Sequence, residues 1–347
     1  MSARPSRGSL LGALGVELGV LAAPLAGGPG SPELVIAAGR SGSLGFLGAG
    51  YKTPEAMASE IAAVRAAGVP FGVNLFAPNP LPVDREAFGR YAEQLRPEAE
   101  ALGAELDAVP REDDDWWHEK LAALLADPPP LASFTFGIPP REDLQALRAA
   151  GVLLVQAVTS AAEADAAADA GIDALVVQSA AAGGHWGTLT PREPPEPLPL
   201  GELTEAIAAR TELPLIAAGG IAGPEDVALA LRAGADAVMA GTALMLADEA
   251  ATAPAHRAAL ADPGRRETVQ TRAFTGRPAR GLRNGFIERH EADAPLGYPA
   301  IHHLTVPLRR AAAAQGDAER LHLWAGTGFR SARAQPAGQI LRELAGG

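Results

Sequence analysis

Apolar positions along the chain fall into short continuous runs set between stretches of helical periodicity. The runs are "GVLAAP" (19–24), "LGFLG" (44–48), "FGVNLF" (71–76), "LASFTFG" (131–137), "VLLVQAV" (152–158), "ALVVQS" (174–179), "PLIAAGG" (214–220) and "AVMAGTAL" (237–244). They do not alternate with polar residues, which is the pattern of parallel strands covered on both faces. Between them lie helical segments with recurring punctuation. "TPEAMASEIAAVRAAG" starts with Thr53 as N-cap and Pro54 at the first helical position, and stops at Gly68. "RAAGV" occurs at 65–69 and again at 148–152, and "DAGID" (169–173) and "RAGAD" (232–236) are close relatives. In each, a glycine ends a helix just before a strand, where the left-handed conformation costs glycine nothing.

A unit of helix, glycine stop and buried strand, repeated eight times, predicts a (β/α)8 barrel, with a doubly wound open sheet as the alternative. The barrel is expected over residues 10–250, its first strand at 18–23. Two segments break the rhythm: a helical insert over 84–126 containing "REDDDWWHEK", and a proline-rich loop at 188–200 that follows strand six and so belongs to the active-site face. Residues 251–347 read as an arginine-rich helical cap on the barrel. In "WWHEK" (116–120), Asp113 to Asp115 are expected to cap a helix.

Composition narrows the chemistry. The 347 residues contain no cysteine, which removes disulfides, thiolate catalysis and Cys-ligated metals. Forty-one acidic residues against 29 basic ones give a net charge of −12, and Lys52 and Lys120 are the only lysines, so nucleic acid is not an expected partner. The first 28 residues loosely imitate a secretory signal, with Arg4 and Arg7 before an apolar stretch. Glu17 and several glycines interrupt it, and the expectation is a cytoplasmic protein without a membrane segment.

The candidate site lies at the expected strand ends. "AAGGI" (217–221) ends strand seven and "AGTAL" (240–244) ends strand eight, the place where barrels often bind phosphate. Gly219, Gly220 and Gly241 would bring backbone N–H groups to an anion, and Thr242 would add a hydroxyl. Asn74 and Gln178 are amides inside apolar strands, suited either to the polar edge of a heterocycle or to a structural bond with a neighbouring loop. His185, in "AAAGGHWG", is the one histidine of the strand-and-loop core and is suited to a general base or to donation to an anion. His302 and His303 are adjacent and lack ligand-spaced partners, so no metal is expected; "AGGPG" (26–30) lacks the spacing of a dinucleotide fingerprint.

Taken in order, "APLAGGPGSPEL" (23–34), "GFLGAGY" (45–51), "PFGVNLF" (70–76), "VVQSAAAGGHWG" (176–187), "PLIAAGGI" (214–221), "AVMAGTALML" (237–246) and "TRAFTGRPARGLRNGF" (271–286) resemble the nitronate monooxygenase family across nearly the whole chain. The resemblance implies non-covalent FMN. It implies flavin contacts at Ala23, Pro24, Leu25, Asn74, Gln178 and Gly183, and phosphate contacts at Gly219, Gly220, Met239, Ala240, Gly241 and Thr242. It places His185 as the base and Trp186 and Tyr298 at the substrate. The implied reaction is oxidation of alkyl nitronates by O2 to a carbonyl compound and nitrite. Two alternatives stay open: an NAD(P)H-dependent flavin reductase of quinones or enoyl thioesters, and a flavin-free phosphate-binding barrel. The chain departs from the family's "QGxEAGGHRG" pattern with Ser179 for glycine, Ala181 for the acid and Trp186 for arginine, and its "MAGTAL" stands where "QMGTRF" is usual. Trp186, beside the base, is expected to reshape the pocket.

Overall fold

The computed structural model describes residue 12 and residues 14–347; Arg4, Arg7 and the expected domain start at residue 10 lie outside the described residues. Eight parallel strands close into a barrel: β1 (Val20–Ala22), β2 (Gly45–Gly48), β3 (Phe71–Phe76), β4 (Leu131–Thr135), β5 (Leu153–Val158), β6 (Ala174–Gln178), β8 (Leu215–Ala218) and β9 (Ala237–Ala240), with β9 returning to pair β1. All eight apolar runs supply a barrel strand. Their last residues often fall outside the ladder, because the chain turns there to build the site: Gly219 and Gly220 are left-handed, and Thr242–Leu244 is a short 3-10 turn.

The ring of helices is α1 (Pro32–Arg40), α2 (Pro54–Ala66), α4 (Trp117–Ala126), α5 (Arg141–Ala149), α6 (Ala161–Ala170), α7 (Leu200–Ala208) and α8 (Pro224–Arg232), with α3 (Arg85–Leu102) intervening between α2 and α4 in the chain. Thr53 caps α2, its hydroxyl accepting from Ala56 N–H at 3.3 Å. Gly68, Gly151, Gly171 and Gly234, the four expected stops, all have positive φ, between 68° and 100°. Inside the barrel, large and small residues interlock: Phe46 pairs in register with Gly72, and a Cβ on Gly72 would lie 2.3 Å from the Phe46 ring.

Three expectations need correction. The segment 84–126 is not one insert. Its α3 packs on the cap, whereas α4 packs between α2 and α5 and serves as the third barrel helix. The α4 helix does not start on an aspartate cap either: Trp116 occupies the cap position at φ 60°, with no side-chain bond to the helix. The tail after 250 is also not purely helical. It holds α9 (Pro254–Ala261), β10 (Thr268–Thr271), β11 (Ala279–Leu282), α10 (Gly285–His290), α11 (Ala300–Gln315) and α12 (Ala337–Leu344). Strands β10 and β11 form a three-stranded antiparallel sheet with β7 (Gly184–His185), which emerges from the loop after β6. The cap has its own core, in which Phe274 stacks on Phe286 and the Tyr91 hydroxyl donates to the Ala273 carbonyl.

The chain ends back on the barrel. Helix α12 buries Ala337, Ile340, Leu341 and Leu344, one stripe at helical spacing, against α1, β1 and α8. It thus fills the eighth helical position, left vacant after β9. Among the described residues, no helix is long and apolar enough to cross a membrane.

Leu341 is fully buried in that contact. Leu341→Ala is expected to cost about 2–5 kcal/mol of folding free energy, as cavity-forming core truncations do. Urea denaturation followed by far-UV circular dichroism measures it; a loss below about 1 kcal/mol would show that α12 is not integral to the barrel.

Candidate active site

At the C-terminal rim of the barrel the strand ends surround one inner cavity. It is lined by Ala23, Pro24, Leu25, Asn74, Gln178, Gly183, His185, Gly219, Gly220, Met239, Gly241 and Thr242, twelve of the residues expected from the sequence. Sequence reasoning did not assign its other walls. Phe76, Ser133 and Thr135 come from β3 and β4, Tyr51 from the loop after β2, and His256, His322, Trp324, Gly326 and Gly328 from the cap. His185 is the histidine that the barrel's own strands and loops bring to this cavity, and His256 and His322 reach the same space from the cap.

Three expected residues lie elsewhere: Tyr298, on an adjoining outer cavity, and Ala240 and Trp186. Ala240 follows Met239 on β9, and alternation turns it away; it is buried in the layer outside the barrel, and its carbonyl accepts from Ala23 N–H at 2.9 Å. Trp186 lines neither this cavity nor the outer one beside it, and is 6% exposed. Its N–H donates to the Pro278 carbonyl at 2.9 Å, continuing the β7–β11 ladder, so its side chain lies opposite that of His185. The expectation that Trp186 reshapes the pocket is corrected on that ground.

The glycines form a cradle. Gly219 and Gly220 have φ of 109° and 79°, a region open to glycine and strained for other residues. The amide N–H groups of Gly219, Gly220 and Gly241 donate no hydrogen bond within the described chain. Three unpaired donors at the ends of adjacent strands suit an anionic group such as a phosphate. Thr242 Oγ1 accepts from Gly326 N–H at 2.9 Å and keeps its own proton for a ligand. Gly183 has a different reason to be glycine: a Cβ there would meet Gly326 N at 2.5 Å, so the cap segment passes directly over it.

The two amides behave differently. Asn74 Nδ2 donates to Ser133 Oγ at 2.9 Å and Thr135 Oγ1 at 3.1 Å, which fixes the carboxamide at the cavity wall. Gln178 ties down the loop that carries the histidine: its Oε1 accepts from Gly187 N–H at 2.7 Å and its Nε2 donates to the His185 carbonyl at 3.3 Å. The structural reading of Gln178 therefore applies, and the clamped side chain also lines the cavity.

His185 is held by β7 and ringed by aromatic groups, with Phe136, Trp324 and Tyr298 centroids at 5.4, 5.6 and 5.7 Å. Its Nε2 lies 3.0 Å from Thr275 Oγ1, and that hydroxyl donates to the Arg277 carbonyl. This assigns the proton to Nε2 and leaves a lone pair on Nδ1. Burial, helped by the nearby cations Arg277 and Arg309, pushes the imidazole down to about 3, so it is neutral at physiological pH. Burial likewise lowers His256 to about 4, against the Trp324 carbonyl that its Nε2 contacts.

An outer cavity adjoins the inner one, and Tyr51 and Phe76 line both. Tyr298 lines the outer one, its hydroxyl 3.4 Å from that of Tyr51. Tyr51 has φ 68° and stacks on His302 at 4.3 Å. Asp115 holds it there: one carboxylate oxygen accepts from Tyr51 N–H at 2.9 Å and the other from Lys120 Nζ at 2.7 Å. Asp115 of the "DDD" run therefore positions a tyrosine that lines both cavities, instead of capping a helix. His303 turns to Asp113 at 2.8 Å, away from His302.

The chain matches the sequence pattern of the family described as nitronate monooxygenase over residues 10–347. A probable nitronate monooxygenase of Staphylococcus aureus (strain Newman) is 34% identical over 338 residues, 95% of this chain and 94% of that one. A nitroalkane oxidase structure from Streptomyces ansochromogenes superposes with a TM-score of 0.91 at 44% identity, covering 97% of this chain and 96% of the other. FabK from Thermotoga maritima, at 24% identity and TM-score 0.75 over 99% and 95% of the two chains, shares the fold.

The depressed histidines make stability pH-dependent. The unfolded chain binds protons on these groups near pH 6.5 and the folded chain does not until far lower, so stability falls as pH drops below 6.5 toward 4. Each such group contributes a slope of up to about 1.4 kcal/mol per pH unit. His256→Asn is expected to flatten the acid limb of a plot of folding free energy against pH; an unchanged slope would mean that His256 is already protonated in the folded state.

Proposed function

The chain belongs to the nitronate monooxygenase family of flavin-dependent oxidoreductases, and we propose that it binds FMN and oxidises alkyl nitronates with O2 to a carbonyl compound and nitrite. The observation that carries this reading is the convergence, in one cavity, of an anion cradle, two fixed amides and a neutral histidine. The donor set fits FMN. The N–H groups of Gly219, Gly220 and Gly241 and the Thr242 hydroxyl would hold its phosphate, and Asn74 and Gln178 would face the ring edge. Bound there, the flavin supplies the electron acceptor and the partner for O2.

The residues of the chain do the rest. Phe76, Phe136 and Trp324 keep water from the imidazole. A nitronate arrives already deprotonated and needs no base. For a neutral nitroalkane, the Nδ1 lone pair of His185 takes the α-proton, and Thr275 fixes the ring that does so.

The protein is expected to purify yellow, to release FMN on heating, and to form nitrite from a nitronate under air. A protein that stays colourless after incubation with FMN would refute this reading. Rapid anaerobic bleaching by NADH, with no nitrite formed, would favour a reductase instead. In His185→Asn, kcat/KM for neutral nitroalkanes is expected to fall about 10²–10⁴-fold, the range for loss of a general base, while nitronates are affected far less. Steady-state nitrite assays at matched pH measure both.

A further inference from the structure

Arg277 is fully buried, yet only Nη2 has a partner, the Thr188 carbonyl at 2.6 Å; Nε and Nη1 have none. Its guanidinium lies over the Phe136 ring, 4.0 Å from the centroid, and the same ring edges His185 at 5.4 Å. The carboxylate nearest in influence, Glu163, is committed elsewhere: its oxygens accept from Thr159 N–H and hydroxyl, the Thr188 hydroxyl and Leu189 N–H. Arg309 is a second buried cation whose charge reaches the histidine. It donates to Thr305 Oγ1 and the His302 carbonyl and meets His322 at 3.4 Å. Neither guanidinium pairs with a carboxylate among the described residues.

A buried, unpaired cation is costly, and burying two beside one cavity is costlier still. Both remain charged, since burial lowers each only to about 10. The imidazoles nearby add no charge; His185, His302 and His322 are all pushed down. The positive field is compensated only at a distance, by Glu163 acting on Arg277, and aromatic walls screen it weakly. An anion entering the cavity would relieve it. A neutral molecule of the same shape would not, and protonating His185 would make it worse.

We propose that Arg277, supported by Arg309, is the counter-charge that selects an anionic substrate, so that the site prefers a nitronate to the neutral nitroalkane of the same skeleton. This rests on the nitronate reading for the name of the anion, not for its charge. Arg277 acts across Phe136, not by contact. Phe136 has φ 81°, and its carbonyl accepts from Asn79 Nδ2 at 2.6 Å, so the ring that touches both groups is held in a strained conformation.

The test is calorimetric titration of the flavin-loaded protein with sodium nitrate, a planar anion with the O–N–O geometry of a nitronate, and with acetamide, a neutral planar molecule of similar size. Nitrate is expected to bind at least about tenfold tighter than acetamide. Arg277→Met should lose that preference and Arg277→Lys keep part of it. In turnover, Arg277→Met should lower kcat/KM for a nitronate about tenfold or more, mainly through KM. Equal affinity of the wild type for the two probes overturns the proposal without requiring any variant to fold. So does an unchanged nitrate affinity in folded Arg277→Met. Arg277-dependent nitrate binding in a protein that forms no nitrite would support the anion site and refute the oxidation instead.

Discussion

The short antiparallel ladder that pairs Gly184 and His185 with Arg280 and Ala279 is the constraint on which the site depends. The barrel alone would present His185 on a glycine-rich loop with no fixed direction. Pairing with β11 gives it the alternation of a strand, so His185 faces the cavity and Trp186 faces away. The same ladder sets Thr275 and Arg277 beside the imidazole and brings the 322–328 segment across Gly183. Gln178 braces the loop from the barrel side, bonding both to His185 and to Gly187. Barrel and cap are therefore not separable for function, since each supplies part of one wall.

Electrostatics at this junction run against stability. Three neutral imidazoles and two guanidiniums without carboxylates share an aromatic enclosure. Elsewhere the chain pairs its charges, as Lys120 does with Asp115 and Arg148 with Asp173. A chain carrying 12 excess negative charges has carboxylates to spare, so their absence beside Arg277 and Arg309 is a local feature of the site. The protein accepts that cost where ligand binding can offset it.

The barrel was legible in the sequence because its strands are buried on both faces and its helices stop on glycine; both signals are local. The cradle was legible for the same reason, since Gly219, Gly220 and Gly241 end strands that could be read directly. What escaped depends on contacts far apart in the chain. Helix α12 completes a ring opened more than three hundred residues earlier at β1, and no local pattern reveals that. Strands β10 and β11 are four-residue segments, the first half-exposed and the second mostly buried, that gain their identity only by pairing. "TRAFTGRPARG" was visible as a motif, but Arg277 has a role only because Phe136 and His185 lie beside it in space.

The departures from the family pattern can now be placed. Ser179 Oγ accepts from Ala181 N–H at 3.3 Å, and the Ala181 carbonyl accepts from Thr327 N–H at 3.0 Å, so these two positions fasten the β6 loop to the cap. A side chain longer than alanine at 181 would press toward Gly220, whose own Cβ position lies 3.3 Å from that of Ala181. Trp186 is buried behind the ladder, its indole N–H without an acceptor. These three residues line neither the inner nor the outer cavity. The strand-eight departure is different, since Met239, where the usual pattern begins with glutamine, lines the inner cavity. Met239 is thus among the side chains that face the cavities, with the cap residues His256, His322 and Trp324 and the tyrosine pair at the mouth, Tyr51 and Tyr298.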